Sequence, residues 1–297
     1  MFNRIVGCGV LLVCTAVVSG PALAGERCVV GEEFTATWCG PCVPVGNAMS
    51  AMLDQLGDNR FALLQVHISD NVTIPWGTAR ANQYGVTAIP TMVIDSTYKY
   101  VGSNLIAQMQ AAINARMSIP TDTLINMTAQ ELSPSSFKVN GTVSLEATGT
   151  EKTVRIWVVQ VLDYYPSGSH HRNCVRQVQG GVDVTLQPGG QYNFAYTFNL
   201  AAVDAQNLSR VKFIAFAQKP GPPYFPAEVY QGHVMTHPFP PSPIPGDLDG
   251  DGCVGQPDLG ILLGNYGLTD GGDIDGDGVT GQADLGILLA NYGQGCQ

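Results

Sequence analysis

The sequence contains few charged residues, and positive charge is especially scarce. Lys and Arg number 14 in 297 residues, against 24 Asp and Glu. No stretch is basic enough to bind a nucleic-acid backbone, so nucleic acid is excluded as an expected partner. Residues 246–297 lack Lys, Arg and Glu altogether, yet they contain nine Asp. The other 15 acids nearly balance the 14 bases, and this local acidity favours cation binding over a general repulsive surface.

The N-terminal segment has the pattern of a secretory signal. Arg4 precedes an apolar stretch at residues 5–18, and Ala22 and Ala24 offer small side chains for cleavage. The apolar stretch is short for a membrane span, so we expect a signal peptide at residues 1–24 rather than an uncleaved anchor. The protein is therefore expected to be exported to the periplasm, the cell surface or the medium, with membrane contact only through this segment.

Removal of that signal discards Cys8 and Cys14 and leaves six cysteines, at positions 28, 39, 42, 174, 253 and 296. An even number in an exported chain is compatible with three disulfides, although the sequence does not fix their pairing. Cys28 and Cys174 remain once the nearer pairs are assigned. They either bridge the two larger domains or stay as free buried thiols.

Residues 25–119 alternate between strand and helix patterns, which predicts an α/β domain. Strands are expected at residues 28–35, 61–69 and 91–95, and helices at 44–56, 76–84 and 105–117.

Residues 120–238 change to a period of two, as in Val154, Ile156 and Val158. About seven such runs, separated by Gly- and Pro-containing turns, predict an antiparallel β-sandwich of the immunoglobulin-like kind. Residues 239–245 are rich in proline and predict an extended linker that separates the body from an acidic module at residues 246–297. The overall fold class expected is multidomain α/β plus all-β, with a small helical module at the end.

The motif Trp38-Cys39-Gly40-Pro41-Cys42 follows a predicted strand and precedes a predicted helix. Two cysteines at this spacing can close a small disulfide. The helix dipole and the free N–H groups of the first turn lower the pKa of the first thiol. Cys39 is thus predicted to attack a partner disulfide, and Cys42, one turn inside the helix, to resolve the mixed disulfide.

Here residues 28–117 resemble the thioredoxin family, and its exported envelope members in particular. Trp38 to Cys42 match the family's active-site motif, and Glu33 stands six residues before Cys39, where thioredoxins place a buried acid. The resemblance implies that Glu33 assists proton transfer to Cys42. It also implies that Pro90, in Ile89-Pro90-Thr91, belongs to the cis-proline loop that lies against the disulfide and pairs with the substrate backbone.

The cysteines and histidines of the sequence allow other interpretations. The Cys39–Cys42 pair lacks a nearby second pair that would complete a zinc site, but it could be a structural disulfide on a binding scaffold. His170, His171 and Cys174 form a short cluster that could bind a metal. A loop is the preferred interpretation, because no fourth ligand is evident.

The acidic module is a duplication with an offset of 26 residues. Gly246 to Gly252 recur as Gly272 to Gly278, and each Asp-rich loop is followed by a Leu-Leu segment. Each unit fits a twelve-residue calcium loop with acids at positions 1, 3, 5 and 12, glycine at 6 and a backbone carbonyl at 7. The predicted ligands are Asp247, Asp249, Asp251, the Cys253 carbonyl and Asp258 in the first loop, and Asp273, Asp275, Asp277, the Val279 carbonyl and Asp284 in the second.

Carboxylates that converge in this way repel by about 4 kcal/mol per pair at ~4 Å, so the loops are expected to require two calcium ions. The duplicated loops with one helix each resemble a type I dockerin module. That resemblance implies a cohesin partner and tethering to a cell surface or a cellulosome. Cys253 and Cys296 flank the module and are candidates to bridge its ends.

Two functional hypotheses follow. The first is an exported thiol-disulfide oxidoreductase that acts on protein thiols and disulfides and is anchored through its calcium module. The alternative is a noncatalytic surface component, or a subunit of a polysaccharide-degrading complex, in which the disulfide is structural. No pair of carboxylates identifies the chain itself as a glycosidase.

Overall fold

The computed structural model describes residues 25–223, 225–240 and 244–296. The predicted signal peptide at residues 1–24 and the centre of the predicted linker, residues 241–243, lie outside them. Among the described residues, no helix combines the length and the apolar character that crossing a bilayer would require.

The first part of the chain forms the expected α/β arrangement. Its elements are β1 (Val29–Thr35), α1 (Cys42–Leu56), β2 (Phe61–His67), α2 (Pro75–Gln83), β3 (Thr91–Ile94), β4 (Tyr98–Val101) and α3 (Ile106–Met117). β1 lies between β2, which runs parallel to it, and β3, which runs antiparallel. β4, which the sequence pattern did not predict, pairs with β3 at the edge.

The described residues of the second part form seven strands, as the period-two pattern predicted. They are β5 (Thr123–Ser133), β6 (Ser136–Leu145), β7 (Lys152–Leu162), β8 (Cys174–Leu186), β9 (Gln191–Asn199), β10 (Val211–Gln218) and β11 (Val229–Thr236), with the short helix α4 (Ala202–Ala205) before β10. β5, β6 and β9 form one antiparallel sheet.

The other four strands do not form a sheet of their own. They join the first part in one eight-stranded sheet of order β11-β10-β7-β8-β2-β1-β3-β4, in which β8 meets β2 at the Gln65–Cys174 pair. The predicted sandwich is therefore revised in one respect: its two sheets pack around one core, but the larger sheet continues through the first region of the chain.

The physical reason is that β7 and β10 are buried on both faces. Val158 and Phe213 pack against the three-stranded sheet. Their neighbours Val159 and Ile214 face the opposite way, into a core that they share with Val30 and other residues of β1 and β2. A third core lies under α1 and α3 on the other face of β1 and β2.

A buried ion network joins the two regions. Asp95, which follows β3, accepts a hydrogen bond from Arg116 Nε of α3 at 2.9 Å and lies 3.6 Å from Arg27. Arg116 also donates to Glu228 beside β11, and Arg27 donates to the Val229 carbonyl. Burial raises the pKa of Asp95 to about 6, although the two arginines oppose that rise.

The start of the proline-rich segment is packed rather than detached. Phe239 lies 5.0 Å from Phe213 between ring centroids, and the Pro240 carbonyl accepts a hydrogen bond from Ala129 N. Ile244, near the end of the predicted linker, and Gln294 of the terminal module line a cavity together with Phe239. The predicted linker therefore begins as a packed segment that the apolar Phe239 holds against the body.

Replacing Arg116 by Met is expected to lower the free energy of unfolding by about 3 kcal/mol, because Asp95 loses its closest cation while buried. Urea unfolding at neutral pH measures the change. Arg155→Met serves as the matched control, because the Arg155–Asp183 pair is partly exposed and should contribute less than about 1 kcal/mol. Equal losses in the two variants would contradict a special role for the buried network.

Candidate redox site and acidic loops

The Cys39–Cys42 pair lies between the end of β1 and the start of α1. The two sulfurs are bonded, with Cα atoms 5.3 Å apart. Cys42 N donates to the Cys39 carbonyl at 3.1 Å, and this turn leads directly into the helix. Cys42 is the first residue of α1. The sequence-based prediction that it lies one turn inside the helix is therefore corrected. The N–H groups of the first helical turn still lie next to the disulfide, where they stabilise a thiolate.

Trp38 and the proline loop frame the disulfide. The Trp38 side chain is 65% exposed, and its indole N–H donates to the Ser69 carbonyl at 3.0 Å. Cys39 exposes only 5% of its surface and packs against Ile89. The Ile89–Pro90 peptide is cis, and Pro90 is buried.

A groove lies beside Trp38 and Ile89, which adjoin Cys39. Its cavity of about 450 Å³ is lined by Trp38, Ile68, Ser69, Val86, Thr87, Ala88 and Ile89. Both walls are largely apolar or backbone, so the groove has the character of a site for an extended peptide segment.

Glu33 is completely buried on β1, on the face of the sheet that α1 covers. One carboxylate oxygen accepts a hydrogen bond from Gln65 Nε2 at 2.9 Å, and the other has no partner among the described residues. Burial raises the pKa of Glu33 to about 8, and the hydrogen bond from Gln65 partly opposes that rise. A carboxyl group with this pKa can both accept and release a proton near neutrality.

Two polar residues near the motif were missed in the sequence. Gln65 is buried within the apolar run of β2. The sequence signal that could have marked it is a polar side chain inside that run, because a buried amide needs hydrogen-bond partners. Asp70 accepts hydrogen bonds from Thr37 N and His67 Nδ1, each at 2.7 Å, and so fixes the backbone just before Trp38. Burial lowers the pKa of His67, which favours its neutral form.

The remaining cysteines settle the alternatives that the sequence left open. Cys253 pairs with Cys296 at the two ends of the terminal module. Cys28 and Cys174 are free and buried, so no bridge joins the two regions. Burial raises the pKa of Cys174 to about 12 and raises that of Cys28 further, which makes both thiols unreactive.

The duplicated loops adopt the same backbone geometry in both copies. Each leads into a helix, α5 (Gln256–Asn265) or α6 (Gln282–Asn291). Asp258 accepts hydrogen bonds from Leu248 N at 2.7 Å and Asp249 N at 3.1 Å, and Asp284 accepts the equivalent pair at the same distances.

Carboxylates converge in each loop. Asp247, Asp249 and Asp258 bring ligand oxygens within 4.8 Å of one another, as do Asp273, Asp275 and Asp277. Asp251 and Asp284 do not join these groups, so each set holds three of its four predicted carboxylates. Within the described ranges, these are the only groups of three or more metal-ligating side chains, and His170, His171 and Cys174 form none.

Glu33→Gln is expected to remove a pH dependence of stability. The folded-state pKa of about 8 lies above the unfolded value of about 4.3. Between these pH values the folded protein retains a proton that the unfolded chain releases, so the wild-type free energy of unfolding falls as pH rises, by on the order of a few kcal/mol. Urea unfolding of the oxidised protein at pH ~5 and ~8 measures the decline. Parallel losses in wild type and variant would contradict the raised pKa.

Comparison with known proteins supports this interpretation of the first region. Residues 23–118 match the family model described as Thioredoxin. A thioredoxin of Chlorobaculum thiosulfatiphilum is 29% identical over 85 residues, which are 29% of this chain and 68% of that protein. A thioredoxin-like protein of Synechocystis sp. is 38% identical over 72 residues, 24% of this chain and 62% of that protein.

The fold likeness extends further than the sequence likeness. HBP35 of Porphyromonas gingivalis superposes with a TM-score of 0.60 at 16% identity, over 74% of this chain and 78% of that chain. Such coverage reaches beyond residues 23–118 into the β-rich region, and at this identity it is a likeness of fold alone. Residues 23–118 are therefore similar to thioredoxins, and Cys39 and Cys42 lie at the junction of the first strand and first helix of this part of the chain.

Proposed function

We propose that this protein is an exported thiol-disulfide oxidoreductase that exchanges disulfides with other proteins through Cys39 and Cys42. The observation that carries the proposal is the placement of this disulfide at the start of α1, beside an open groove, with a buried carboxyl group on the adjoining strand. An attacking thiolate, a resolving thiol and a proton acceptor are the parts that exchange requires.

In the reducing direction, the Cys39 thiolate attacks one sulfur of a substrate disulfide. A mixed disulfide forms, and the second substrate sulfur leaves as a thiolate. Glu33 accepts the proton of Cys42, whose thiolate then attacks the Cys39 sulfur and releases the substrate. Two electrons pass to the substrate, and Cys39–Cys42 becomes a disulfide. The reduction potential relative to the compartment decides which direction prevails.

Trp38 and Pro90 position the substrate in this scheme. The exposed Trp38 ring forms one wall of the groove, and its indole N–H is already used by the Ser69 carbonyl. The ring is thereby held in place. The backbone next to Pro90 faces the same groove and is the proposed pairing edge for an extended substrate segment.

Insulin reduction with dithiothreitol as electron source tests the proposal. Wild type is expected to accelerate precipitation of the insulin B chain, and Cys39→Ser and Cys42→Ser are each expected to fall to the uncatalysed rate. Cys174→Ser is the matched control, because its thiol is buried and unpaired. If wild type is no faster than Cys39→Ser, the disulfide is structural and the noncatalytic alternative stands.

The acidic loops are proposed to bind one calcium ion each. Three converging carboxylates per loop supply hard oxygen ligands, and flexible all-oxygen loops favour calcium over magnesium. Bound calcium would offset the mutual repulsion of these carboxylates.

A binding role for the terminal module is proposed alongside the redox role. Leu263 and Leu289 are each 54% exposed at equivalent positions of the two repeats, and Tyr266 and Tyr292 are 41% and 49% exposed. Two equivalent apolar patches on a small module mark a surface for a protein partner. A cohesin-like protein is the partner proposed, and tethering of the redox domain to a surface or complex is the proposed purpose.

Calorimetry is expected to give two calcium ions per chain for wild type and one for Asp273→Asn, because Asp273 is the first predicted ligand of the second loop. Asp270→Asn is the matched control: the residue is a neighbouring acid outside the predicted ligand set, and two ions should remain. One ion or none in the wild type would refute the ligand assignment.

A further inference from the structure

The Gln65 side chain connects the redox site to the second region of the chain. Its Nε2 donates to Glu33 Oε2 at 2.9 Å and to the His170 carbonyl at 2.7 Å. Its Oε1 accepts from Arg172 N at 2.8 Å. Both amide hydrogens and the carbonyl are therefore used, and the side chain is 1% exposed. A buried amide with all these bonds made has one orientation available to it.

The two backbone partners belong to the connection between β7 and β8, residues 163–173, which we name the 163–173 loop. The side chain of Arg172, near the C-terminal end of the loop, attaches the loop to α1. Arg172 donates to Asp163 within the loop at 2.7 Å, and to Ser50 and Asp54 of α1 at 3.0 and 2.7 Å. Ser50 in turn donates to the Ser169 carbonyl.

Gly46 permits the loop to approach this closely. A Cβ atom at that position would lie 2.5 Å from the His170 carbonyl oxygen and 3.3 Å from Gln65 Nε2. Gly46 stands one helical turn after Cys42, so the loop reaches the helix close to the resolving cysteine. Contact at this distance leaves room for no other side chain.

From this geometry we infer that Gln65 is a positioning residue of the redox site, and that the 163–173 loop holds its amide so that Glu33 is oriented for proton exchange with Cys42. The inference rests on the proposed oxidoreductase function. The second region is then more than a spacer, because two of its backbone groups determine where the buried carboxyl group points.

The hydrogen bond from Gln65 determines which protonation state of Glu33 is stabilised. Gln65 Nε2 stabilises the carboxylate form of Glu33, which is the form that accepts the Cys42 proton. Among the described residues, β1 has no other charged side chain on the Glu33 face, β2 carries His67 two residues after Gln65, and the loop carries His170, His171 and Arg172. The Arg172 guanidinium is directed at Asp163 and Asp54 instead, and burial together with the neighbouring histidines lowers the pKa of His171 to about 4. Gln65 is thus the group that stabilises the carboxylate.

The experiment measures single-turnover insulin reduction by the reduced full-length protein from pH ~6 to ~10. Loss of the donor in Gln65→Met is expected to move the midpoint of the rising limb up by about one pH unit and to slow turnover at neutral pH about tenfold. Gly46→Ala, which pushes the His170 carbonyl away, should shift the midpoint in the same direction. Gln160→Met removes a buried amide of β7 whose hydrogen bonds are to Val161 and Gln177 rather than to Glu33 or the 163–173 loop, and it is expected to leave the midpoint in place.

A readout that needs no turnover accompanies the kinetics. The side-chain carboxyl carbon resonance of Glu33, assigned by its loss in Glu33→Gln, should titrate at higher pH in Gln65→Met than in wild type. Active wild type with unchanged midpoints in both Gln65→Met and Gly46→Ala would overturn this inference and leave the proposed function standing. A wild type without Cys39-dependent turnover would overturn both.

Discussion

The apolar core shared by β1, β2, β7 and β10 is the constraint on which the rest of the structure depends. Strands buried on both faces must have partners on both faces, and here the two regions of the chain supply them to each other. Burial of this surface, at about 25 cal/mol per Å², is the dominant force that joins the regions. Because the core fixes β7 and β8 beside β2, it also fixes the loop between them.

Polar groups at this junction are buried with their partners. The Arg27–Asp95–Arg116 network and the Glu32–Arg80–Tyr84 cluster are both almost completely excluded from solvent. Such groups contribute little net stability when paired, but they are costly when misaligned. They therefore select one arrangement of the two regions from the many that an apolar core alone would accept.

Glu33 differs from these pairs because its burial is only partly compensated. One oxygen has a single amide donor, and the other has no partner among the described residues. Burial destabilises the charged form of Glu33 and so raises its pKa. The carboxyl group can therefore gain or lose a proton near neutral pH. The same burial that weakens the folded state at alkaline pH makes the carboxyl group useful for exchange chemistry.

The sequence by itself determined the local features. Residues that act through spacing along the chain, such as Cys39 and Cys42 or the repeated Asp loops, carry their geometry in the order of a few neighbours. Helices α1, α2 and α3 followed from apolar periodicity, and the seven later strands from alternation. The short strand β4 was missed, because four residues give too little periodicity to distinguish a strand from a turn.

Only the tertiary structure decided how the two regions combine. Val158 to Leu162 and Val211 to Ala217 are apolar except for Gln160 and Lys212, a sign of burial on both faces, but no local pattern says which strand lies on each side. The pairing of Cys253 with Cys296, the free state of Cys28 and Cys174, and the contact of Gln65 with His170 all join residues far apart in the chain. Such contacts depend on packing in three dimensions, because short-range propensity and periodicity act only over a few residues at a time.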